Sequence, residues 1–197
     1  YLATVARAQV AIIAKSDAPF DDLAGLIEYS KANDGALVAF DAKPQELLMK
    51  YVDGEAGAGF KLVSTKSSAE AIQNLLGDHV VASFAAGAHI PYIESGDLKM
   101  IASANASRHG YAPDTPTVVE QGYEIYVDPY FFIAAPAGLP AETKDTLSKA
   151  LHNAINSDAA KKAIVNALKT DPSDLGPDGT QKMLTDGVGN VKKLFGK

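Results

Sequence analysis

Residues 112–140, APDTPTVVEQGYEIYVDPYFFIAAPAGLP, form the stretch that most constrains the fold of this chain. The Asp-Thr-Pro run at residues 114–116 combines typical helix N-cap residues with a proline suited to the first helical position. A short helix is therefore expected over residues 118–122, ended by its glycine. Residues 124–135 are extended in character and nearly all apolar after Tyr130, which predicts a buried strand. The AAPAGLP run then ends the strand and opens a long helix.

Outside this stretch, short apolar segments alternate with amphipathic ones. Strands are expected at residues 9–14, 37–40, 60–63, 80–84 and 98–103, and helices at 21–31, 44–52, 67–76 and 88–94. Such alternation predicts a mostly parallel sheet covered by helices on both faces. After residue 130 the pattern changes to helices at 141–156, 158–168 and 179–194, with a further short strand considered near 174–175. These helices have weak or mixed apolar faces and cannot bury a core well alone.

The composition excludes several classes of partner and chemistry. The 197 residues allow one large domain or two small ones, and the net charge of −6 disfavours nucleic acid or an anionic membrane as a main partner. Cysteine is absent, which rules out disulfides and thiolate chemistry. No apolar run is long enough to span a bilayer. The chain shows no signal peptide and starts with YLATVAR, which looks like the inside of a protein, so a processed or truncated chain is expected.

No arrangement of residues indicates catalysis or a bound metal. Asp78 and His79 precede Ser83, yet the Gly-x-Ser-x-Gly elbow of a hydrolase is missing. The four histidines lack metal-ligand spacing. The GEAGAG cluster at residues 54–59 lacks the Lys-Ser/Thr of a phosphate-binding loop and is expected to be a flexible turn. The sequence therefore predicts a protein that is not an enzyme and has no metal or cofactor.

Several motifs in a fixed order resemble a known family. They are DTPTVVEQGY followed by FFIAAPAGLP, the run AEAIQNLLGDHVVASFAAGAHIPYIESGDLK at residues 69–99, and the Ile-Ala-Ser of residues 101–103 with Ser107-Arg108. Residues 10–13 followed by 19–33 add a similar strand and helix near the start. Together they resemble the periplasmic solute receptors of tripartite tricarboxylate transporters, the TctC or Bug family, over most of residues 5–195.

The resemblance implies a mixed α/β fold of the type II periplasmic-binding-protein kind, with two lobes and a ligand between them. Residues 8–128 look like the middle lobe, the second lobe of such a receptor. Residues 129–197 look like the returning, mostly helical C-terminal part of the first lobe. The N-terminal part of that first lobe, roughly 100 residues, has no counterpart in this chain, so the chain is expected to be a fragment of a longer receptor.

The ligand is expected beyond the carboxyl ends of the strands, where helix N-termini present free amides and partial positive charge. The first such loop contains Phe40, Asp41, Ala42 and Lys43. Members of the resembled family usually have a Gly- and Ser-rich loop at this place, so the dicarboxylate specificity of the family does not transfer directly. Either Lys43 pairs with an anion, or Asp41 selects a ligand that bears a donor or a cation. The alternative is that the two charges pair with each other in solvent.

The second and third loops follow the next two strands. Thr65 and Lys66 are candidate ligand residues in the second loop. The hydroxyls of Ser67 and Ser68 either bind a carboxylate as well or serve only as a helix N-cap. In the third loop the small residues Ala85, Ala86 and Gly87 permit close approach of the backbone to a ligand. His89 either faces the ligand or is a partly exposed packing residue.

Tyr130 is a fourth candidate, because it lies where the chain would cross between lobes. It either stacks on or hydrogen-bonds a ligand, or packs at the hinge. The resemblance implies a non-catalytic periplasmic receptor that captures a small carboxylate and passes it to membrane transporter subunits. It implies no nucleic-acid partner and no direct insertion into the membrane. Three alternatives remain open at this point: an effector-binding domain of a transcription regulator, a small α/β enzyme, and a receptor-like protein that binds another protein.

Overall fold

The computed structural model describes residues 1–196, and seven strands and eight helices are found within them. In chain order the strands are β1 (Ala3–Arg7), β2 (Val10–Lys15), β3 (Leu37–Phe40), β4 (Lys61–Ser64), β5 (Ala82–Ala86), β6 (Leu98–Ser103) and β7 (Tyr130–Ile133). The helices are α1 (Leu23–Ala32), α2 (Lys43–Ala56), α3 (Ser68–Leu76), α4 (Ile90–Ser95), α5 (Ala141–Ile155), α6 (Asp158–Leu168), α7 (Gly176–Asp186) and α8 (Val188–Leu194).

The chain divides into two compact units, which we call the central and the terminal unit. The central unit comprises Gln9–Asp128 and the chain end from Lys193. The terminal unit comprises Tyr1–Ala8 and Pro129–Lys192. Each is described by itself below.

The central unit is built on a five-stranded sheet in the order β4-β3-β5-β2-β6. β3 pairs parallel with β4 and β5, whereas β2 pairs antiparallel with β5 and β6. Four strands therefore point the same way and β2 alone runs against them, which agrees with the predicted mixed α/β class. As a result β3, β4 and β5 all end at one edge of the sheet, which we call the carboxyl edge.

The core of the central unit forms around the apolar inner strands of its sheet. Five of the six residues of β2 are buried, and α3 contributes Ala71, Ile72 and Leu75. One cluster of the core contains Ala11, Ile13, Ala39, Ala71, Ile72, Leu75, Val80, Ala85, Leu98 and Met100. Two helices of this unit have side-chain N-caps: Asp22 accepts a hydrogen bond from the Gly25 amide at 2.7 Å, and Ser67, one of the two serines considered as a cap, accepts one from the Glu70 amide at 3.2 Å.

Some element boundaries differ from the expectation. α2 continues to Ala56, so the first part of the GEAGAG cluster is helical rather than a turn, and the left-handed Gly57 (φ 61°) ends the helix. β5 begins and ends two residues later than expected, so that Ala85 and Ala86 belong to the strand. The single helix expected over residues 179–194 is two helices, because the helix is interrupted at Gly187.

The expected helix at residues 118–122 is a hydrogen-bonded turn. The Glu120 amide donates to the Thr117 hydroxyl at 3.0 Å, and the Thr117 amide donates to the Glu120 carboxylate at 2.8 Å. This reciprocal pair is a capping box. It begins at Thr117 rather than at residues 114–115, and Gly122 (φ 100°) closes the segment after one turn.

The expected buried strand at residues 124–135 was also wrong. Only Tyr130–Ile133 form a strand, and the side chains of Phe131 and Phe132 are 51% and 45% exposed. The strand pairs antiparallel with β1 in a sheet of two strands. The chain at residues 173–175 runs beside the other edge of β1, where the Ser173 amide donates to the Val5 carbonyl at 2.9 Å, but no strand forms there.

The helices of the terminal unit bury little of their apolar surface. α5 and α7 pack on β1, yet their buried residues are only Ile155 and Thr180, and α6 has none. Their exposed apolar side chains include Leu147 and Val165. The prediction that these helices would bury a core poorly by themselves is confirmed for the described residues of this unit.

Candidate functional site

Three loops meet at the carboxyl edge of the central sheet. They follow β3, β4 and β5, and we call them the first (residues 41–42), second (65–67) and third loop (87–89). The first two are tied together by Thr65, whose amide and hydroxyl both donate to the Phe40 carbonyl, at 2.8 and 3.0 Å. Because β3 and β4 are in parallel register with Phe40 opposite Ser64, the first and second loops leave the sheet side by side. Thr65 is buried, so its role in this structure is to join the loops.

Ser68, the first residue of α3, connects the same edge to the end of β5. Its hydroxyl donates to Oδ2 of Asp41 at 2.8 Å and accepts a hydrogen bond from the Ala86 amide at 3.4 Å. Ser68 is neither the N-cap of α3, which is Ser67, nor one of the ten predicted ligand residues. Its bridging role depends on the tertiary contact with Asp41, and no local sequence pattern predicts such a contact.

The expectation that the loop amides are available to a ligand differs from the structure at three positions. Oε1 of Gln45 accepts hydrogen bonds from the amides of Asp41 and Ala42 at 2.9 and 3.3 Å. The Glu70 carboxylate accepts one from the Lys66 amide at 2.8 Å. Gln45 lies three residues after Ala42, the N-cap of α2, which is the capping-box position. That spacing was the signal in the sequence that could have identified Gln45.

The charged residues of these loops do not pair as one interpretation proposed. Lys43 binds Glu46 at 2.7 Å, and Lys50 binds the other oxygen of Glu46 at 2.5 Å. Hydrogen bonds from Lys43 and then Lys50 lower the pKa of Glu46. Within residues 1–196 the Lys66 ammonium and Oδ1 of Asp41 have no hydrogen-bond or ion-pair partner, so the pairing of Asp41 with Lys43 was wrong.

Phe40 lines a cavity on one side of α2. The cavity has a volume of about 310 Å³, and its walls are Phe40, Glu46, Lys50, Asp53, Phe60 and Leu62. These residues lie on β3, α2, β4 and the segment before β4. Of the ten predicted ligand residues, Phe40 alone contributes to this wall.

The third loop begins after the strand residues Ala85 and Ala86. The Ala85 side chain is buried in the core, and the residue lies opposite Ala11 of β2, while Ala86 is half-buried at the edge. Gly87 follows with φ 95°, a backbone conformation that other residues adopt only with strain. The glycine therefore allows the chain to turn from β5 into α4.

A buried polar network joins the end of the third loop to the segment after β6. Nε2 of His89 lies 2.5 Å from the Tyr111 hydroxyl, which lies 2.8 Å from Nδ1 of His109. Nε2 of His109 lies 2.7 Å from Oδ1 of Asn105. His89 is therefore a packing residue joined to this network, and it is fully buried rather than partly exposed.

Asn105 sets the direction of hydrogen bonds in this network. Its Nδ2 donates to the Val127 carbonyl at 3.0 Å and to Asp128 at 2.8 Å, and its Oδ1 accepts from the Val10 amide at 2.8 Å. Nε2 of His109 must therefore carry a proton that it donates to Oδ1.

The neutral forms of the two histidines define one proton arrangement. With His109 neutral, its Nδ1 accepts from the Tyr111 hydroxyl, which in turn accepts from Nε2–H of His89. Nδ1 of His89 is then an acceptor, and it is buried without a partner among the described residues. Burial lowers the pKa of His89 from 6.5 to about 4 and raises the pKa of Tyr111.

Tyr130 is the one predicted ligand residue that lies in the terminal unit. It is half-buried in β7, opposite Arg7 of β1. The other nine predicted residues lie at or next to the carboxyl edge of the central sheet. The prediction of a ligand site from these ten residues stays a prediction.

Residues 1–196 contain neither a metal-binding cluster nor a membrane-spanning helix. No group of three or more histidine, aspartate or glutamate side chains is placed to hold a metal ion. Among the helices of this described part, each is too short or too polar to pass through a bilayer.

The sequence and the fold of this chain agree with one family of proteins. The family model described as "Tripartite tricarboxylate transporter family receptor", TctC, matches residues 1–196. The chain belongs to the TctC family. This family consists of receptors rather than enzymes, as the sequence predicted.

Curated relatives of this TctC chain come from two genera. It is 30% identical over 174 residues to BugT of Bordetella pertussis, which covers 85% of this chain and 53% of that protein. It is 29% identical over 167 residues to the "UPF0065 protein in gbd 5'region" of Cupriavidus necator, covering 83% of this chain and 48% of that protein. The chain thus spans about half the length of the curated relatives it matches.

Solved structures show the same fold. The periplasmic binding protein BugD superposes with a TM-score of 0.80 at 25% identity, covering 98% of this chain and 67% of BugD. A protein of R. palustris with adipate gives a TM-score of 0.81 at 21% identity, covering 98% of this chain and 66% of that one. MatC of Rhodopseudomonas palustris with bound malate gives 0.75 at 18% identity, covering 98% and 68%.

Proposed function

We propose that this chain is part of an extracytoplasmic, periplasmic solute-binding receptor that captures a small organic acid. The receptor would deliver this acid to the membrane subunits of a tripartite tricarboxylate-type transporter. The observation that carries the proposal is the match of the TctC receptor model along residues 1–196. The adipate and malate bound by two proteins of the same fold support a carboxylate as the ligand.

The geometry of the carboxyl edge is compatible with this function in a specific way. The N-termini of α2 and α3 both lie at this edge, and each carries partial positive charge that favours a carboxylate. Lys66 adds a full positive charge in the second loop, and this charge is not neutralised by a side chain of residues 1–196. We therefore expect Lys66, rather than the amides taken by Gln45 and Glu70, to provide the main attraction for the ligand.

The test is titration calorimetry of the protein as its gene encodes it, with a panel of small mono-, di- and tricarboxylates. At least one carboxylate should bind, and Lys66→Gln should weaken its binding about tenfold, the effect of losing one moderately screened charge contact. Lys31→Gln is the matched control, because Lys31 is an exposed lysine in the last turn of α1. It should leave the affinity unchanged. Failure of every carboxylate to bind would contradict the proposal.

A further inference from the structure

The carboxyl edge has an unusual balance of donors and acceptors. Its backbone donors at Asp41, Ala42 and Lys66 are taken by the side chains of Gln45 and Glu70. The Ser68 hydroxyl, another donor at this edge, is given to Asp41. The N-terminus of α2 alone would attract an anion to the first loop. A ligand that reaches this loop instead meets the carboxylate of Asp41.

Asp41 and Lys66 carry opposite charges on adjoining loops and yet are not paired with each other. Oδ1 of Asp41 and the Lys66 ammonium both lack a partner within the described chain, while the nearby Lys43 is held by Glu46. The parallel register of β3 and β4 places the two loops side by side. An anion and a cation on adjoining loops, neither paired within the described chain, are together complementary to a ligand that carries both a donor and a carboxylate.

A third unpartnered group lies at the end of the third loop, on His89. His89 is fully buried, and its Nδ1, an acceptor when the histidines of the network are neutral, has no donor among residues 1–196. His89 comes three residues after Ala86, whose amide contacts Ser68. A buried acceptor without a donor is costly, so this group also calls for a hydrogen-bond donor.

We propose that Asp41 determines the specificity of this receptor by selecting an organic acid that also carries an ammonium or another hydrogen-bond-donating group. The inference rests on the proposed function, because it concerns the same site. Lys66 attracts the carboxylate of the ligand, and Oδ1 of Asp41 accepts from its donor. A plain dicarboxylate would place a second negative charge near Asp41, where like charges repel.

The experiment compares ligands that differ only by one ammonium group. Adipate and 2-aminoadipate form one such pair, and succinate and aspartate form another. Binding is measured by calorimetry on the protein as its gene encodes it and on its Asp41→Asn variant. Asparagine keeps an oxygen that accepts from Ser68 but removes the charge, so the loop should keep its shape. The unmodified protein should prefer the amino member of a pair by about tenfold or more, and Asp41→Asn should abolish or reverse that preference.

Asp78→Asn is the matched control. Asp78 precedes β5 at the opposite end of that strand, and its positive φ of 59° is one that asparagine tolerates. This variant loses the same charge and should keep the preference of the unmodified protein. If acids bind but Asp41→Asn leaves their relative affinities unchanged, Asp41 does not read the ligand and the inference fails while the receptor function stands. If no variant binds any acid of either pair or of the wider carboxylate panel, the receptor function fails as well.

Discussion

The central and terminal units use similar amounts of helix but bury them very differently. In the central unit α3 places Ala71, Ile72 and Leu75 in a closed core beneath the sheet. In the terminal unit α6 has a comparable apolar stripe, yet none of its residues is buried. The comparison teaches that an amphipathic pattern predicts that a helix forms, but not that its apolar face is covered, since burial depends on which other elements lie opposite.

The largest effect is expected from variants that truncate one leucine in each unit. Leu75→Ala in the central unit should lower the free energy of unfolding by about 2–5 kcal/mol, because it leaves a cavity in a packed core. Leu147→Ala, at a position 39% exposed in α5, should cost less than about 1 kcal/mol. Urea titrations followed by circular dichroism give both values. Equal losses of unfolding free energy at the two positions would contradict the difference in burial between the units.

A second test uses the histidine buried in the central unit. The pKa of His89 is about 4 in the folded protein, against 6.5 for an ordinary histidine. Between these values the unfolded chain binds a proton that the folded chain does not, so stability should fall as the pH drops from about 6.5 to about 4. The loss should total about 3 kcal/mol over this window.

Variants identify the source of that slope. His89→Gln places an amide donor near Tyr111 without a group that titrates in this range, so it should flatten the dependence of unfolding free energy on pH. His152→Gln changes an exposed histidine of the terminal unit and should leave the slope in place. A slope that survives His89→Gln would assign it to other groups.

The smallest effect is expected from two equivalent helix caps. Ser67 caps α3 and Ser157 caps α6, each by accepting a hydrogen bond from an amide three residues later. Ser67→Ala should destabilise the central unit by about 1 kcal/mol, a typical cost of losing an N-cap. Ser157→Ala should act mainly on α6 itself, seen as faster amide exchange of that helix by mass spectrometry. A global loss from Ser157→Ala as large as that from Ser67→Ala would show that α6 is more firmly packed than its exposure indicates.

The sequence predicted the central unit better than the terminal unit for a physical reason. Strands apolar on both faces and capped amphipathic helices are local patterns, so the alternation around Asp22 and Ser67 could be recognised directly. The segment at residues 124–135 is just as apolar, but it forms only the short, exposed strand β7. Its apolar character indicated a buried strand, and nothing local shows that a two-stranded sheet leaves Phe131 uncovered.

The candidate site shows the same division between local and tertiary information. The alternation of strands and helices correctly placed Asp41 and Thr65 beyond the ends of neighbouring strands. The contacts of Ser68 with Asp41 and with the Ala86 amide join positions 27 and 18 residues apart, which no motif encodes. The same holds for the pairing of His89 with Tyr111, since it depends on how the chain folds back after β6.

Asn105 has a consequence for the order in which the central unit assembles. Its side chain joins the backbone of Val10, 95 positions earlier, to that of Val127, 22 positions later. Contacts between such distant positions require large loops to close first. We therefore expect these contacts to form after the transition state for folding. Shortening this side chain should therefore accelerate unfolding while leaving the refolding rate nearly unchanged. We therefore expect Asn105 to control the lifetime of the native state through the unfolding rate.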